Sequence, residues 1–224
     1  MYESNGVRTS RYSLSLQRLA KILSTPIYEI QKYKAEFIAS APFPAPYAPF
    51  RNADQFKAMI LYVTCRVRKP RVIVETGVAA GHSSLGILTA LSMNGWGQLF
   101  SIDYPGATYR TDSGGLWKDT ARTEGPGWLV PENLRDRWTL RLGPSHELLP
   151  ELIGQLRTID FFYHDSEHTY RNMTFELETC WAALNPGSPI VVDNVDWSSA
   201  FQSFCRNRQL SSCIVFPFLG VTSR

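Results

Sequence analysis

The chain has no C-x-x-C pair; its four cysteines, Cys65, Cys180, Cys205 and Cys213, stand far apart in 224 residues. That spacing excludes a zinc knuckle and a dithiol redox motif, and it predicts buried free thiols in a reducing compartment. No apolar stretch approaches the roughly 20 residues of a membrane span. The opening residues, Met1 to Gly6, lack the basic and apolar run of a signal peptide. A cytoplasmic location with no membrane partner is therefore the expectation. An excess of one charge sign is missing too: 23 Lys and Arg against 20 Asp and Glu give a formal net charge of +3. Nucleic-acid binders usually carry a strong basic stripe, so no nucleic-acid partner is expected. The short run Arg66, Arg68, Lys69 and Arg71 reads as a solvated loop before a buried strand. No repeat or low-complexity tract is visible, and no heptad or apolar stripe specifies an oligomer.

What the chain does contain is concentrated between Val72 and Ser84. Val72-Ile73-Val74 reads as a buried strand. Glu75 closes it, Gly77 and Gly81 frame a turn, and Ser83 and Ser84 open a helix. Glycines let backbone approach a ligand closely. A helix N-terminus offers free N–H groups and a positive dipole end to an anion. The spacing is not the dehydrogenase fingerprint G-x-G-x-x-G, because three residues separate the glycines and position 79 is alanine.

Strand and helix patterns alternate after this point. Helix is expected over 52–67, strand over 71–75, helix over 83–93, strand over 98–103, strand over 138–142 and helix on to Leu156. Strand at 159–163, helix at 170–184, strand at 189–193 and helix at 198–208 follow, before an apolar run from Cys213 to Val221. Continuous apolar strands between helices predict a parallel sheet covered on both faces. Residues 1–50 form a leader, helical in part around Tyr12 to Leu23. Ala41 to Pro49 is too rich in proline for a helix and reads as an extended strap. Residues 51–224 form the main domain, and 104–137 form a long insertion carrying Tyr109, Arg110, Trp117, Lys118, Arg122 and Trp128. Aromatic faces beside cations suit a sugar or an aromatic acceptor, and a packed lid without ligand contact is the competing reading.

Ligands in such sheets bind beyond the carboxyl ends of the strands. Glu75, Asp103, Asp165 and Asp193 all fall there. Asp103 suits a ribose diol or a loop cap. Ser145 reads as a helix N-cap with Glu147 in the first turn. Asp165, Asp193 and Asn194 follow adjacent strands, and their oxygens suit a hard cation such as Mg2+ or, more plainly, capping duty. His168, three residues after Asp165, titrates in the right range for a general base, or it is a helix-start histidine.

The E-x-G-x-x-x-G-x-S pattern at 75–83 resembles the first motif of class I S-adenosylmethionine-dependent methyltransferases of the catechol O-methyltransferase-like branch. The His164-Asp165-Ser166-Glu167-His168-Thr169-Tyr170 run and Asp193-Asn194-Val195-Asp196-Trp197 resemble methyltransferase family 24. The resemblance covers about residues 50 to 221. It implies a single Rossmann-like α/β domain, with a doubly wound, mostly parallel seven-stranded sheet and helices on both faces. It implies S-adenosylmethionine lying across Gly77 to Ser83, its carboxylate at Ser83, its amino end near Glu75, its ribose at Asp103 and its adenine at Ser145 and His146, with Asp165 beside it. It further implies Mg2+ or another divalent cation on Asp165, Asp193 and Asn194, with Asp165 and His168 catalytic, and an acceptor that is a small hydroxylated molecule. Catechol enzymes carry lysine where His168 stands, which separates this chain from a catechol substrate. A homodimer is compatible with the family. A metal-independent methyltransferase, a non-catalytic S-adenosylmethionine-binding protein and a NAD-dependent oxidoreductase are the alternatives.

Overall fold

A computed structural model describes residues 5–40, 53–118, 124–215 and 218–224. The proline-rich strap at 41–49 and Arg122 lie outside the described residues. Seven α-helices are described: α1 (Asn5–Ile22), α2 (Ile27–Ser40), α3 (Ala53–Arg68), α4 (His82–Asn94), α5 (Ser145–Leu156), α6 (Tyr170–Ala183) and α7 (Ala200–Asn207). The strands are β1 (Val72–Thr76), β2 (Gln98–Asp103), β3 (Thr108–Arg110), β4 (Leu116–Lys118), β5 (Trp138–Leu142), β6 (Phe161–His164), β7 (Pro189–Val192), β8 (Ser212–Val215) and β9 (Leu219–Ser223). The main sheet has seven strands in the order β5-β2-β1-β6-β7-β9-β8. Strands β5, β2, β1, β6 and β7 run parallel, and β9 lies antiparallel between β7 and β8. The order reverses beside β1, which is where doubly wound sheets open a ligand crevice.

Strand parity decides which face each side chain serves. Ile73, Phe161, Tyr163 and Val191 join the core beneath α1 to α4. Val74, Phe162, Ile190 and Val192 join a second core beneath α5 to α7. Both sets are fully buried, as expected of parallel strands covered on two sides. Close helix packing on the first face depends on Gly86, where a Cβ would fall 2.5 Å from the Ala58 carbonyl oxygen.

Two parts of the architecture exceed the sequence expectation. The leader contains a second helix, α2, whose Ile30, Tyr33 and Phe37 are buried against the first core along with Leu16 and Leu19 of α1 and Leu23 just after it. The insertion is not irregular throughout. It holds the β3–β4 hairpin, with Tyr109 opposite Trp117, and a 3-10 turn at Glu132–Arg137. The four cysteines are free thiols. No described helix is long and apolar enough to cross a membrane.

Candidate active site

The loop from β1 to α4 is held in a conformation that few residues adopt. Gly77, Ala79 and Gly81 all have positive φ, at 83°, 48° and 95°. Ala79 occupies a left-handed conformation that disfavours a Cβ. Asp103 holds it there: its Oδ2 accepts from the Val78 amide at 2.7 Å and the Ala79 amide at 3.0 Å. The insertion grips the other side, with Gly127 N donating to Ala79 O at 2.8 Å and Leu129 N to Ala80 O at 3.0 Å. Gly77 allows a close approach, because a Cβ there would lie 2.0 Å from the Asp165 carbonyl oxygen. The glycine loop is thereby pressed against the loop that follows β6.

A cavity of about 500 Å³ opens beyond the strand ends. Gly77, Ser83, Asp103, Ser145 and His146 line one part of it; Lys57, Asp165, His168, Tyr109 and Trp117 line another. Six of the expected cofactor residues, Gly77, Ser83, Asp103, Ser145, His146 and Asp165, therefore share one space with His168, while Gly81 and Glu75 do not line it. The N-terminus of α4 carries no side-chain cap, and Ser83 of its first turn lines the cavity, where a helix N-terminus favours an anion. His146 sits at the rim with its side chain largely exposed.

Glu75 is placed elsewhere. Its parity matches Ile73, which turns it beneath α4 rather than into the cavity. Its Oε2 accepts from Ser84 Oγ at 2.7 Å and Ser101 Oγ at 2.6 Å. Complete burial pushes its carboxyl up to about 7, against the lowering effect of the serine hydroxyls. The expectation that Glu75 meets the cofactor's amino end gives way to a bracing role between β1, β2 and α4.

The loop after β6 is braced by a buried polar cluster. His164 and Thr76 share even parity and point towards α6. Both meet Glu176 Oε2, His164 Nδ1 at 2.6 Å and Thr76 Oγ1 at 2.5 Å. Ser166 Oγ donates to Glu176 Oε1 at 2.7 Å, and Asn172 Nδ2 donates to it at 3.1 Å. Burial raises the Glu176 carboxyl, but His164 and the hydroxyls outweigh it and hold the group at about 2. Nothing in the sequence pointed to Glu176, since a glutamate inside a helix ordinarily reads as a solvated one.

His168 is nearly buried, with its Nε2 3.6 Å from Asp165 Oδ1. Its ring meets Trp197 edge to face at 5.2 Å. Burial is the main reason its pKa falls to about 3, and the neighbouring His164 adds to the fall. The imidazole is thus neutral at physiological pH. Tyr109, stacked on Trp117 at 4.9 Å, accepts a hydrogen bond from the His168 amide through its hydroxyl at 3.4 Å. Asp112 accepts from the Tyr170 amide at 2.8 Å. These two bonds fasten the hairpin to the start of α6.

The set expected to bind a metal is committed to protein donors. Lys57 of α3 inserts its ammonium between the carboxylates, 2.7 Å from Asp193 Oδ2 and 3.4 Å from Asp165 Oδ2. Tyr163 OH donates to Asp165 Oδ2 at 2.8 Å. The Asn194 amide, oriented to satisfy both neighbours, donates to Asp193 Oδ2 at 2.6 Å and accepts from Trp197 Nε1 at 3.0 Å. Among the described residues no group of three His, Cys, Asp or Glu side chains is placed to hold a metal ion. As arranged, Asp165, Asp193 and Asn194 do not fit a divalent cation. Lys57, like Glu176, is not singled out by the sequence pattern. Its signal is a lone cation flanked by Phe56, Ala58, Met59, Ile60 and Leu61, all buried.

Comparison with known proteins bears on the family and the fold. A family model described as a methyltransferase domain, that of methyltransferase family 24, matches residues 74–195, more than half of the chain. No curated protein sequence matches. Among solved structures, the calicheamicin methyltransferase CalS11 is 16% identical with a TM-score of 0.57, over 100% of this chain and 94% of that one. An O-methyltransferase from Bacillus cereus in complex with S-adenosylhomocysteine is 17% identical with a TM-score of 0.52, over 96% and 99%. A methyltransferase from Geobacter sulfurreducens is 18% identical with a TM-score of 0.57, over 87% of each chain. The matched segment holds the glycine loop, Asp103, Asp165, His168 and Asp193, so the chain belongs to methyltransferase family 24, within the class I S-adenosylmethionine-dependent methyltransferases.

Proposed function

We propose that this protein methylates a hydroxyl group of a small molecule such as a sugar, a phenol or a natural-product intermediate. The observation that carries the reading is the Asp165–His168 pair on the wall of the cavity that also contains Ser83 and Asp103. One space therefore offers a cofactor cradle and a neutral base. The residues present fit S-adenosylmethionine, since the cavity takes in the uncapped end of α4 and the loop that glycines open. Ser83 and the α4 amides would hold its carboxylate, Asp103 its ribose, and Ser145 and His146 the edge of its adenine.

When bound, S-adenosylmethionine supplies an electrophilic methyl group on a sulfonium sulfur. His168 accepts the acceptor's hydroxyl proton on Nε2 as the oxygen bonds to the methyl carbon, when that proton has become strongly acidic, and Asp165 stabilises the imidazolium formed. The proton would pass to His168 as the acceptor oxygen bonded the methyl carbon, and the S–CH3 bonding pair would remain on sulfur, leaving S-adenosylhomocysteine to be held by the Ser83 and Asp103 side of the cavity. Tyr109 and Trp117 supply a face on which a ring can rest. Alignment of acceptor oxygen and methyl carbon by these walls accounts for much of the acceleration.

Calorimetric titration with S-adenosylhomocysteine, with NADH as control, tests the cradle. A radiolabelled methyl-transfer screen across hydroxylated acceptors then tests the reaction. Binding of S-adenosylhomocysteine alone, followed by label in an ether product, supports the reading. Absence of S-adenosylhomocysteine binding overturns it.

A further inference from the structure

We infer that the Lys57 ammonium is the resident cation of this site, occupying the place between Asp165 and Asp193 where a divalent metal would sit, so that methyl transfer here needs no metal. The inference rests on the methyltransferase reading and deepens it. Lys57 is anchored on α3, a helix whose neighbouring residues are packed into the core. Its side chain is only 15% exposed, and that of Asp193 only 6%. A metal could enter only by displacing an ammonium that is already paired.

The ammonium has three N–H groups and three carboxylates near it: Asp193 at 2.7 Å, Asp54 at 3.2 Å and Asp165 at 3.4 Å. Asp165 and Asp193 come from the ends of two adjacent strands, β6 and β7, whose register places Tyr163 beside Val191. Two carboxylates at neighbouring strand ends repel, and a shared proton or a cation between them relieves it; here the Lys57 ammonium stands between them. A hard cation needs about six oxygen ligands in open geometry; here the oxygens accept from Lys57, Tyr163 and Asn194 instead. Lys57 also lines the cavity that contains His168. Its positive charge lies where negative charge would grow on an acceptor oxygen as His168 removes the proton, the role a metal would otherwise fill.

The test uses Mn2+ as the probe, followed by electron paramagnetic resonance, together with S-adenosylhomocysteine titration on the same samples. The full-length wild type, stripped with chelator, is expected to leave millimolar Mn2+ free while still binding S-adenosylhomocysteine. Lys57→Gln removes the charge and keeps a polar side chain. It is expected to gain one Mn2+ site, with affinity raised at least tenfold over wild type, and Asp193→Asn in that background is expected to abolish the site. One Mn2+ bound by wild type and lost in Asp193→Asn would overturn the inference. So would a Lys57→Gln protein that binds S-adenosylhomocysteine normally and gains no Mn2+. Should Lys57→Gln fail to fold, the wild-type titration decides by itself, with Lys57→Arg, which keeps the charge, expected to remain silent towards Mn2+. Loss of S-adenosylhomocysteine binding in every sample would count against the methyltransferase reading rather than against the assignment of Lys57.

Discussion

Lys57 Nζ donates to Asp193 Oδ2 at 2.7 Å across 136 residues of sequence. The bond ties the start of α3 to the end of β7 and so closes one wall of the cavity. Burial alone would lower the Lys57 pKa, but Asp165, Asp193 and Asp54 raise it well above the usual lysine value. The side chain therefore stays charged and cannot act as a base. Lys57→Met, which leaves the buried Asp193 without its cation, should destabilise the fold by about 3 kcal/mol, in the range for breaking one side of a buried ion pair. Chemical denaturation at neutral pH measures this. Equal midpoints for the two proteins would show that the pair contributes nothing.

His168 links the site to acid stability. Its folded pKa is about 3, against about 6.5 unfolded. The unfolded chain therefore binds the extra proton first as pH falls below 6.5. The contribution of neutral His168 is complete above that pH and declines below it, by roughly 1.4 kcal/mol per pH unit. Melting curves from pH 7 to pH 5 should show a smaller fall for His168→Gln than for wild type. The same variant should lose about 10²- to 10³-fold in turnover with S-adenosylhomocysteine affinity unchanged. A parallel fall in both proteins would remove His168 from the acid response.

Glu75 carries the opposite sign. Its folded pKa is raised to about 7, so the folded state holds the proton more tightly than the unfolded one. Stability from the protonated carboxyl is fully present below the unfolded value and is lost as pH rises towards 7. Glu75→Gln keeps an acceptor for Ser84 and Ser101. Its stability relative to wild type should improve between pH 5 and pH 8. Thermal midpoints across that range check the claim, and a constant difference would refute it.

Gly77→Ala should be among the most damaging single changes in the glycine loop. The added methyl would meet the Asp165 carbonyl at 2.0 Å in a backbone conformation with φ of +83°. Left-handed strain alone costs about 1–2 kcal/mol, and displacing backbone adds to it. A stability loss of at least about 2 kcal/mol is expected, together with weaker S-adenosylhomocysteine binding. Normal values for both would mean that the loops separate more easily than their packing suggests.

Trp117→Ala removes the partner on which Tyr109 stacks and leaves the glycine loop untouched. Once an acceptor is identified, its KM should rise about tenfold, the effect of losing roughly 1.4 kcal/mol of contact, while S-adenosylhomocysteine affinity holds. An unchanged KM would make the hairpin a cover without acceptor contact.

The central sheet was legible because its strands are short apolar runs separated by helical spacings, and the acidic residues at their ends fell where parallel sheets bind ligands. Asp103 and Asp165 could be picked out for that reason, and His168 by its place three residues after Asp165. Strand parity, which needs the register, decided the rest. It turned Glu75 under α4 and aimed His164 at Glu176, and a sequence pattern alone cannot show which face a buried polar residue serves. Lys57 was hidden because lysine on a helix ordinarily lies in solvent. The hairpin was hidden because strands of three residues carry no periodicity. Its one clue is the turn at Ser113-Gly114-Gly115 between Tyr109 and Trp117. Helix α2 shows modest amphipathy, and its burial is settled by partners distant in sequence.

The insertion's bonds to the glycine loop and to the start of α6 run through the backbone or through Tyr109 and Asp112. Within the hairpin, Arg110, Leu116 and Lys118 are exposed and add nothing to the buried core. A lineage could exchange Trp117, Lys118 or Arg110 and alter which molecules are accepted without relearning how to fold. The same division makes the hairpin a natural cassette for grafting a new preference onto this enzyme.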